Sequence, residues 1–259
     1  VTNETIPPLS EEILTSPPSP SATPFPSETV TFTTDDGVML AGTLFGSGKI
    51  AVILAHQGTP GADQKTWQPF ARLLAERGYT ALTFDFRGVG QSKGVLGYGN
   101  LWQDVKAAAQ FLRERGYNNI VCAGASMGGT ACIYNAARDE YIGLIVLAST
   151  MQAGLGIDTL LINNDDLSKL TLPKLFITAE YDSYMVVRDT KRMAELSPDP
   201  KSTLLLPGIQ HGTSLFDTEA GEELTTSMLE FIDSLQNQIF TPVPLIQLEG
   251  TTGPIYSMS

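Results

Sequence analysis

Residues 120–129 read IVCAGASMGG, and this stretch decides the fold. Ile120, Val121, Cys122 and Ala123 form an apolar run suited to a buried strand. Gly124-Ala125-Ser126-Met127-Gly128 follows, and small residues continue into a helix expected over 127–138. Gly-x-Ser-x-Gly between a strand and a helix is the pattern of a nucleophile elbow. The turn is sharp, so its flanking positions must be nearly free of side chain, and the serine hydroxyl stands above the sheet edge. A plain β–α turn with a serine cap would share the letters. The strand before and the helix after favour the elbow.

A serine hydroxyl is a poor nucleophile at neutral pH and needs a base, a group to orient that base, and donors for the oxyanion. Histidine is the usual base, because it titrates near working pH. The chain has two histidines, His56 and His211. His211 follows a strand-like run, 202–206, and a Pro207-Gly208 turn. That places it in a loop at the carboxyl end of a strand, where the sites of parallel α/β sheets lie. His56 ends another apolar run, 50–55, and opens the loop His56-Gln57-Gly58-Thr59-Pro60-Gly61. A third apolar run, 174–179, is followed at its carboxyl end by Glu180-Tyr181-Asp182. With only two histidines and no further evident ligand, a metal site is not expected.

Taken together, four motifs stand in one order: the His56-Gln57-Gly58 loop, Asp85-Phe86-Arg87-Gly88-Val89-Gly90-Gln91-Ser92, residues 124–128, and Asp182 with His211. In this the chain resembles the α/β-hydrolase family, over roughly residues 29–238. The resemblance implies a Ser-Asp-His triad of Ser126, Asp182 and His211, with Glu180 the alternative acid one boundary error away. It implies an oxyanion hole from the Met127 amide and an amide of the 56–58 loop, with Gln57 preferred and Gly58 the alternative. Gln57 stands where the family more often has glycine. The Asp85–Ser92 stretch is structural in most members. Its glycines lack the Gly-Lys-Ser/Thr end of a phosphate loop, and no dinucleotide fingerprint opens a helix. The implied activity is hydrolysis of carboxylic esters with no cofactor. Thioesters, amides or peptides are the alternative on the same triad, and a non-catalytic scaffold is the remaining one.

Working outward, strands and helices alternate. Residues 30–34 and 38–45 flank an Asp36-Gly37 hairpin turn. Strands are expected at 50–55, 80–86, 120–125, 144–148, 174–179 and 202–206, with helices at 66–77, 101–115, 127–138, 186–196 and 222–236. This is the pattern of a mostly parallel sheet of about eight strands with helices on both faces. Helix 101–115 shows why: Leu101, Val105, Ala108, Phe111 and Leu112 make one apolar stripe, and Gly116 stops it. The 24 residues or so between strands 144–148 and 174–179 are too few for a multi-helix cap. An open site is therefore expected, lined by Gln57, Met127, Met151, Leu155 and Tyr184, and suited to small acyl groups.

Residues 1–28 are rich in proline, serine and threonine and read as a flexible stalk; 29–238 are the hydrolase domain; 239–259 are a tail, with 241–248 a candidate edge strand. The stalk leads to an expectation of export in bacteria, secreted or tethered to a membrane as a lipoprotein, with a cytoplasmic place as the alternative. The formal net charge of −12 over 259 residues argues against nucleic acid and anionic membranes as partners and leaves a small-molecule ester substrate. No apolar run is long enough to span a bilayer. Cys122 and Cys132 are expected to be buried free thiols.

Overall fold

The computed structural model describes residues 26–240, Met185 excepted. The stalk, the tail and its candidate strand 241–248 lie outside them. Among the described residues ten strands are formed, β1 (Ser27–Thr33), β2 (Met39–Phe45), β3 (Ile50–Ala55), β4 (Thr80–Phe84), β5 (Asn119–Ala125), β6 (Gly143–Leu147), β7 (Gln152–Leu155), β8 (Asp158–Leu161), β9 (Lys174–Ala179) and β10 (Lys201–Leu206). The α-helices are α1 (Gln68–Glu76), α2 (Leu101–Glu114), α3 (Met127–Ala136), α4 (Asn164–Ser168), α5 (Val187–Leu196) and α6 (Gly221–Phe240).

Eight strands make one sheet in the order β1-β2-β4-β3-β5-β6-β9-β10. The first two pairings, β1 with β2 and β2 with β4, are antiparallel; the rest are parallel. β3 and β5 are central, and alternate residues feed two cores. Ala51, Ile53 and Cys122 face α2 and α3, while Val52, Leu54, Val121 and Ala123 face α1 and α6. Burial on both faces is why these strands are apolar throughout instead of alternating. The expected α/β-hydrolase fold is the fold observed.

Differences at the element ends have local causes. Residues 64–67 form a 3-10 turn, because Asp63 accepts the Lys65 amide. The regular helix α1 starts only at Gln68, with Pro69 in its first turn, where the missing N–H costs nothing. The strand expected over 80–86 stops at Phe84. Asp85 and Phe86 leave the sheet to anchor the loop that follows. The Asp85 carboxylate accepts the amides of Gln64 and Gln91, and its carbonyl accepts the Ser92 hydroxyl.

One insert is more ordered than its sequence showed, and one expectation is overturned. The span 149–173 holds a two-stranded antiparallel sheet, β7–β8, and the short helix α4, capped reciprocally by Asn163 and Asp166. Cys122 and Cys132 are joined in a disulfide with a Cα–Cα separation of 5.7 Å. The chain reverses at Ser126, so a residue four before the turn and one six after it lie side by side. β5 and α3 are thereby stapled across the elbow.

Candidate active site

Ser126 sits between the last residue of β5 and the first of α3 with φ 52° and ψ −121°. A non-glycine residue in that region is strained and persists only where its surroundings over-determine it. Here they do. The Ser126 amide donates to the Leu147 carbonyl on the neighbouring strand. A Cβ on Gly124 would lie 2.4 Å from the Gly128 backbone, one on Gly128 would lie 2.3 Å from the Ala55 carbonyl oxygen, and one on Gly129 would lie 1.9 Å from Ser149 Oγ. The elbow therefore wedges between β3, β5 and the end of β6, and no side chain fits. Ala148, just past β6, is the second strained residue at φ 48°. Nothing in the sequence marked it.

His211 follows β10 and is buried. Its Nδ1 lies 3.0 and 2.9 Å from the two oxygens of Asp182, which is buried after β9. A carboxylate accepts, so Nδ1 carries the proton and Nε2 is left as the basic nitrogen. Asp182 Oδ1 also accepts the Tyr184 amide at 2.8 Å, and the Tyr184 ring lies against the imidazole with centroids 4.4 Å apart. Glu180 is exposed and makes no such contact with the histidine.

Ser126 and His211 line one cavity of about 220 Å³, together with Gly58, Met127, Tyr98 and Tyr184. Thr59, Pro60, Thr150 and residues 152–154 complete its wall. Among the described residues no hydrogen bond links Ser126 Oγ to the imidazole. Catalytic contacts of this kind are commonly long until substrate is bound. Larger grooves of about 660 and 710 Å³ lie elsewhere and bring no nucleophile and base together.

The structure separates the other site candidates. Met127 opens α3, where helix geometry leaves its amide without an intrahelical acceptor. The Gln57 side chain turns inward: its Oε1 accepts the Thr213 amide and hydroxyl, and its Nε2 donates to Thr59. It holds the His211 loop and does not face the cavity; Gly58 does. Met151 lines the neighbouring groove along α5, and Leu155 is exposed at the end of β7. Neither is brought to the cavity. Of the expected lining residues, Met127 and Tyr184 reach it.

Residues missed by sequence reasoning are Tyr98, Thr150 and the β7 residues 152–154. Tyr98 carried no pattern of its own; it supports β7, since a Cβ on Gly154 would lie 2.5 Å from Tyr98 Cβ. Thr150 is held by the Thr130 hydroxyl of α3 through its carbonyl at 2.8 Å.

His56 is fully buried beside the site. Its Nε2 accepts the Phe86 amide, so its Nδ1 donates to the Gln57 carbonyl. Burial pushes its pKa below the ordinary histidine value. A neutral imidazole fixes the loop as one acceptor and one donor. Arg87 is buried between Asp104 and Asp36, and pairs with both at 2.7 Å. These ion pairs raise the Arg87 pKa against the opposing effect of its burial. Among the described residues no group of three or more His, Cys, Asp or Glu is arranged to hold a metal ion, and no helix is long and apolar enough to cross a membrane.

Comparison with known proteins bears on the fold and the family. The esterase Pf2001 of Pyrococcus furiosus superposes with a TM-score of 0.69 at 20% identity, covering 81% of this chain and 93% of that one. An esterase of Thermogutta terrifontis superposes at 0.67 with 19% identity, covering 80% and 99%. At these identities the likeness is one of fold. Protein YfhR of Escherichia coli (strain K12) is 27% identical over 238 residues, 83% of each chain. The model of the serine aminopeptidase, S33 family matches residues 49–245. The chain belongs to that family, and is an α/β-hydrolase of the serine-hydrolase type.

Proposed function

We propose that the protein hydrolyses small carboxylic esters through an acyl-enzyme intermediate on Ser126. The observation that carries the reading is the placement of Ser126 and His211 on one cavity, with Asp182 bonded to the far side of the imidazole. His211 Nε2 takes the hydroxyl proton as Ser126 Oγ attacks the carbonyl. Asp182 holds the ring and offsets its charge. The oxyanion forms toward the Met127 amide and the loop at Gly58, which faces the cavity where Gln57 does not. The adduct collapses as the His211 imidazolium gives its proton to the departing alcohol, leaving Ser126 acylated; water then attacks the acyl carbonyl as His211 takes its proton, and the acid leaves as that proton returns to Ser126 Oγ. A cavity of about 220 Å³ suits a short acyl group. No aspartate or glutamate lines it, so nothing there is placed to take the ammonium of a peptide's amino terminus.

A second reading, cleavage of amides or short peptides by the same residues, is favoured by the family match itself. That match weighs more for it than for esters. One experiment separates them: turnover of p-nitrophenyl esters from acetate to decanoate beside aminoacyl p-nitroanilides. Ester turnover highest on short chains, and about 10³-fold lower or less in Ser126→Ala and His211→Ala, is expected. Turnover of the anilides alone transfers the assignment to the peptidase. Activity surviving in Ser126→Ala removes the nucleophile. We also propose export; the Cys122–Cys132 disulfide supports it, as such bonds persist in oxidising compartments.

A further inference from the structure

The large apolar side chains that remain exposed are not scattered. Among the described residues there are nine, and Val95, Leu155, Ile157, Leu161, Tyr181, Tyr184 and Ile209 are seven of them. Val95 follows β4; Leu155, Ile157 and Leu161 follow β6; Tyr181 and Tyr184 follow β9; Ile209 follows β10. Those four strands run in one direction, so all seven lie in connections at the carboxyl end of the sheet. That is the end where Ser126 and His211 open. Ile157 at the tip of the β7–β8 turn is fully exposed, and Leu155 is 84% exposed. The Ser183 amide donates to the Ile209 carbonyl and the Tyr181 amide to that of Gly208, which zips two of these loops together. A soluble surface does not hold such a set at one place without a partner.

We infer that this apolar collar docks the catalytic end onto a neutral or zwitterionic lipid surface, from which the ester substrate is taken. The inference rests on the proposed ester hydrolysis and names where its substrate resides. Charge selects the surface. The chain carries −12, which repels anionic lipid. The collar itself holds little charge: of the acids in residues 94–100, 151–162, 180–184 and 207–211, Asp158 is bonded to the Gly99 amide and Asp182 is buried on His211. Glu180 alone is left exposed, and there is no lysine or arginine in those segments. The exposed Lys93 and Arg188 stand just outside these segments, so the uncharged stretch is confined to the apolar loops themselves.

The first and last described elements lie away from it. β1 runs parallel to β4 through two antiparallel pairings, so Ser27 lies at the opposite end of the sheet. The last turns of α6 lie there too, where Tyr79, ahead of β4, bonds Gln236, and Gly143, first in β6, faces Leu235.

The test is co-flotation of the full chain with phosphatidylcholine vesicles and, separately, phosphatidylglycerol vesicles. The expected result is partition onto the former over the latter, cut about fivefold or more by Ile157→Asp and by Ile209→Asp. Both variants should keep the wild-type circular dichroism and turnover of a soluble short-chain ester. No partition onto phosphatidylcholine, partition unmoved by both variants, or a preference for phosphatidylglycerol each overturns the inference. So does a wild-type dimer that Ile157→Asp dissociates without any vesicle binding, which would make a second copy the occupant. Flotation does not depend on turnover, so a failure of ester hydrolysis is read separately from a failure of docking.

Discussion

Two segments wall the cavity, and they are held in opposite ways. The elbow, residues 124–129, is fixed by exclusion. Each of its glycines backs onto main chain or a buried hydroxyl, and its strained serine is hydrogen-bonded to the next strand. The insert, residues 151–162, reaches the cavity only through residues 152–154 and is fixed by attachment. Its β7–β8 ladder is four residues long, touches Tyr98, and is tied to the loop ahead of α2 through Asp158 and the Gly99 amide at 2.8 Å. The first segment has no room to move and the second has a free, apolar tip. An elbow that cannot relax keeps the nucleophile preorganised, while the insert, rooted in the core by Ala153, Leu160 and Ile162, leaves only its tip free to give way.

The sharpest way to break this contrast is Gly128→Val. Its side chain would be driven into the Ala55 and His56 carbonyls, which are main chain and cannot swing aside. We expect a loss of about 3 kcal/mol or more in urea unfolding, with ester turnover lost. A variant with wild-type stability and activity would show that the elbow tolerates displacement and that the contrast is false.

The contrast also sets what was legible beforehand. The central strands were readable because burial on both faces demands unbroken apolar runs such as Ile50–Ala55. The elbow was readable because sterics leave so few residues that fit. Asp182 and His211 were readable as residues just past strand ends. What failed were directions inside loops: Gln57 was placed on the right loop, but its side chain turns to Thr213. Leu155 was placed in the right insert, but it points to solvent. The insert's hairpin did carry a signal. Gly156-Ile157 is a two-residue turn with glycine first, at φ 62°, which is the chemistry of a type II′ turn. The disulfide was missed: Cys122 and Cys132 were read as free thiols, and it is the reversal at Ser126 that brings their Cα atoms to 5.7 Å.

A milder test loosens the insert. Asp158→Ala removes the acceptor of the Gly99 amide, a partly buried contact whose loss should cost about 0.5–1.5 kcal/mol. If attachment is what holds the wall, amide exchange in residues 152–161 accelerates while exchange in α3 is unchanged. Ester specificity should broaden toward longer acyl groups. Uniform acceleration across both segments would mean that the insert and the elbow open as one unit.

The smallest effect concerns a loop of a third kind, residues 85–94, which bonds His56 and the start of β2 and is anchored by charge. Arg87 is buried, and its guanidinium with the Thr34 hydroxyl holds Asp36 down to a pKa of about 2. An unfolded aspartate titrates near about 3.9, so the folded state binds this proton less readily. The stabilisation is therefore complete above about pH 4 and is lost as pH falls toward about 2. Asp36→Asn should lower the urea midpoint slightly at pH 6, and the gap from wild type should close between about pH 4 and 2. The Asp36 side chain is 38% exposed, so solvent screening keeps the effect below that of Asp158. Asp104 is fully buried on the same guanidinium, but its burial pushes its pKa up against that pairing, so it does not share this loss at low pH. A gap that persisted at pH 2 would show that Asp36 acts through the shape of the β1–β2 turn and not through its charge, and the loop would then belong with the elbow, held by fit.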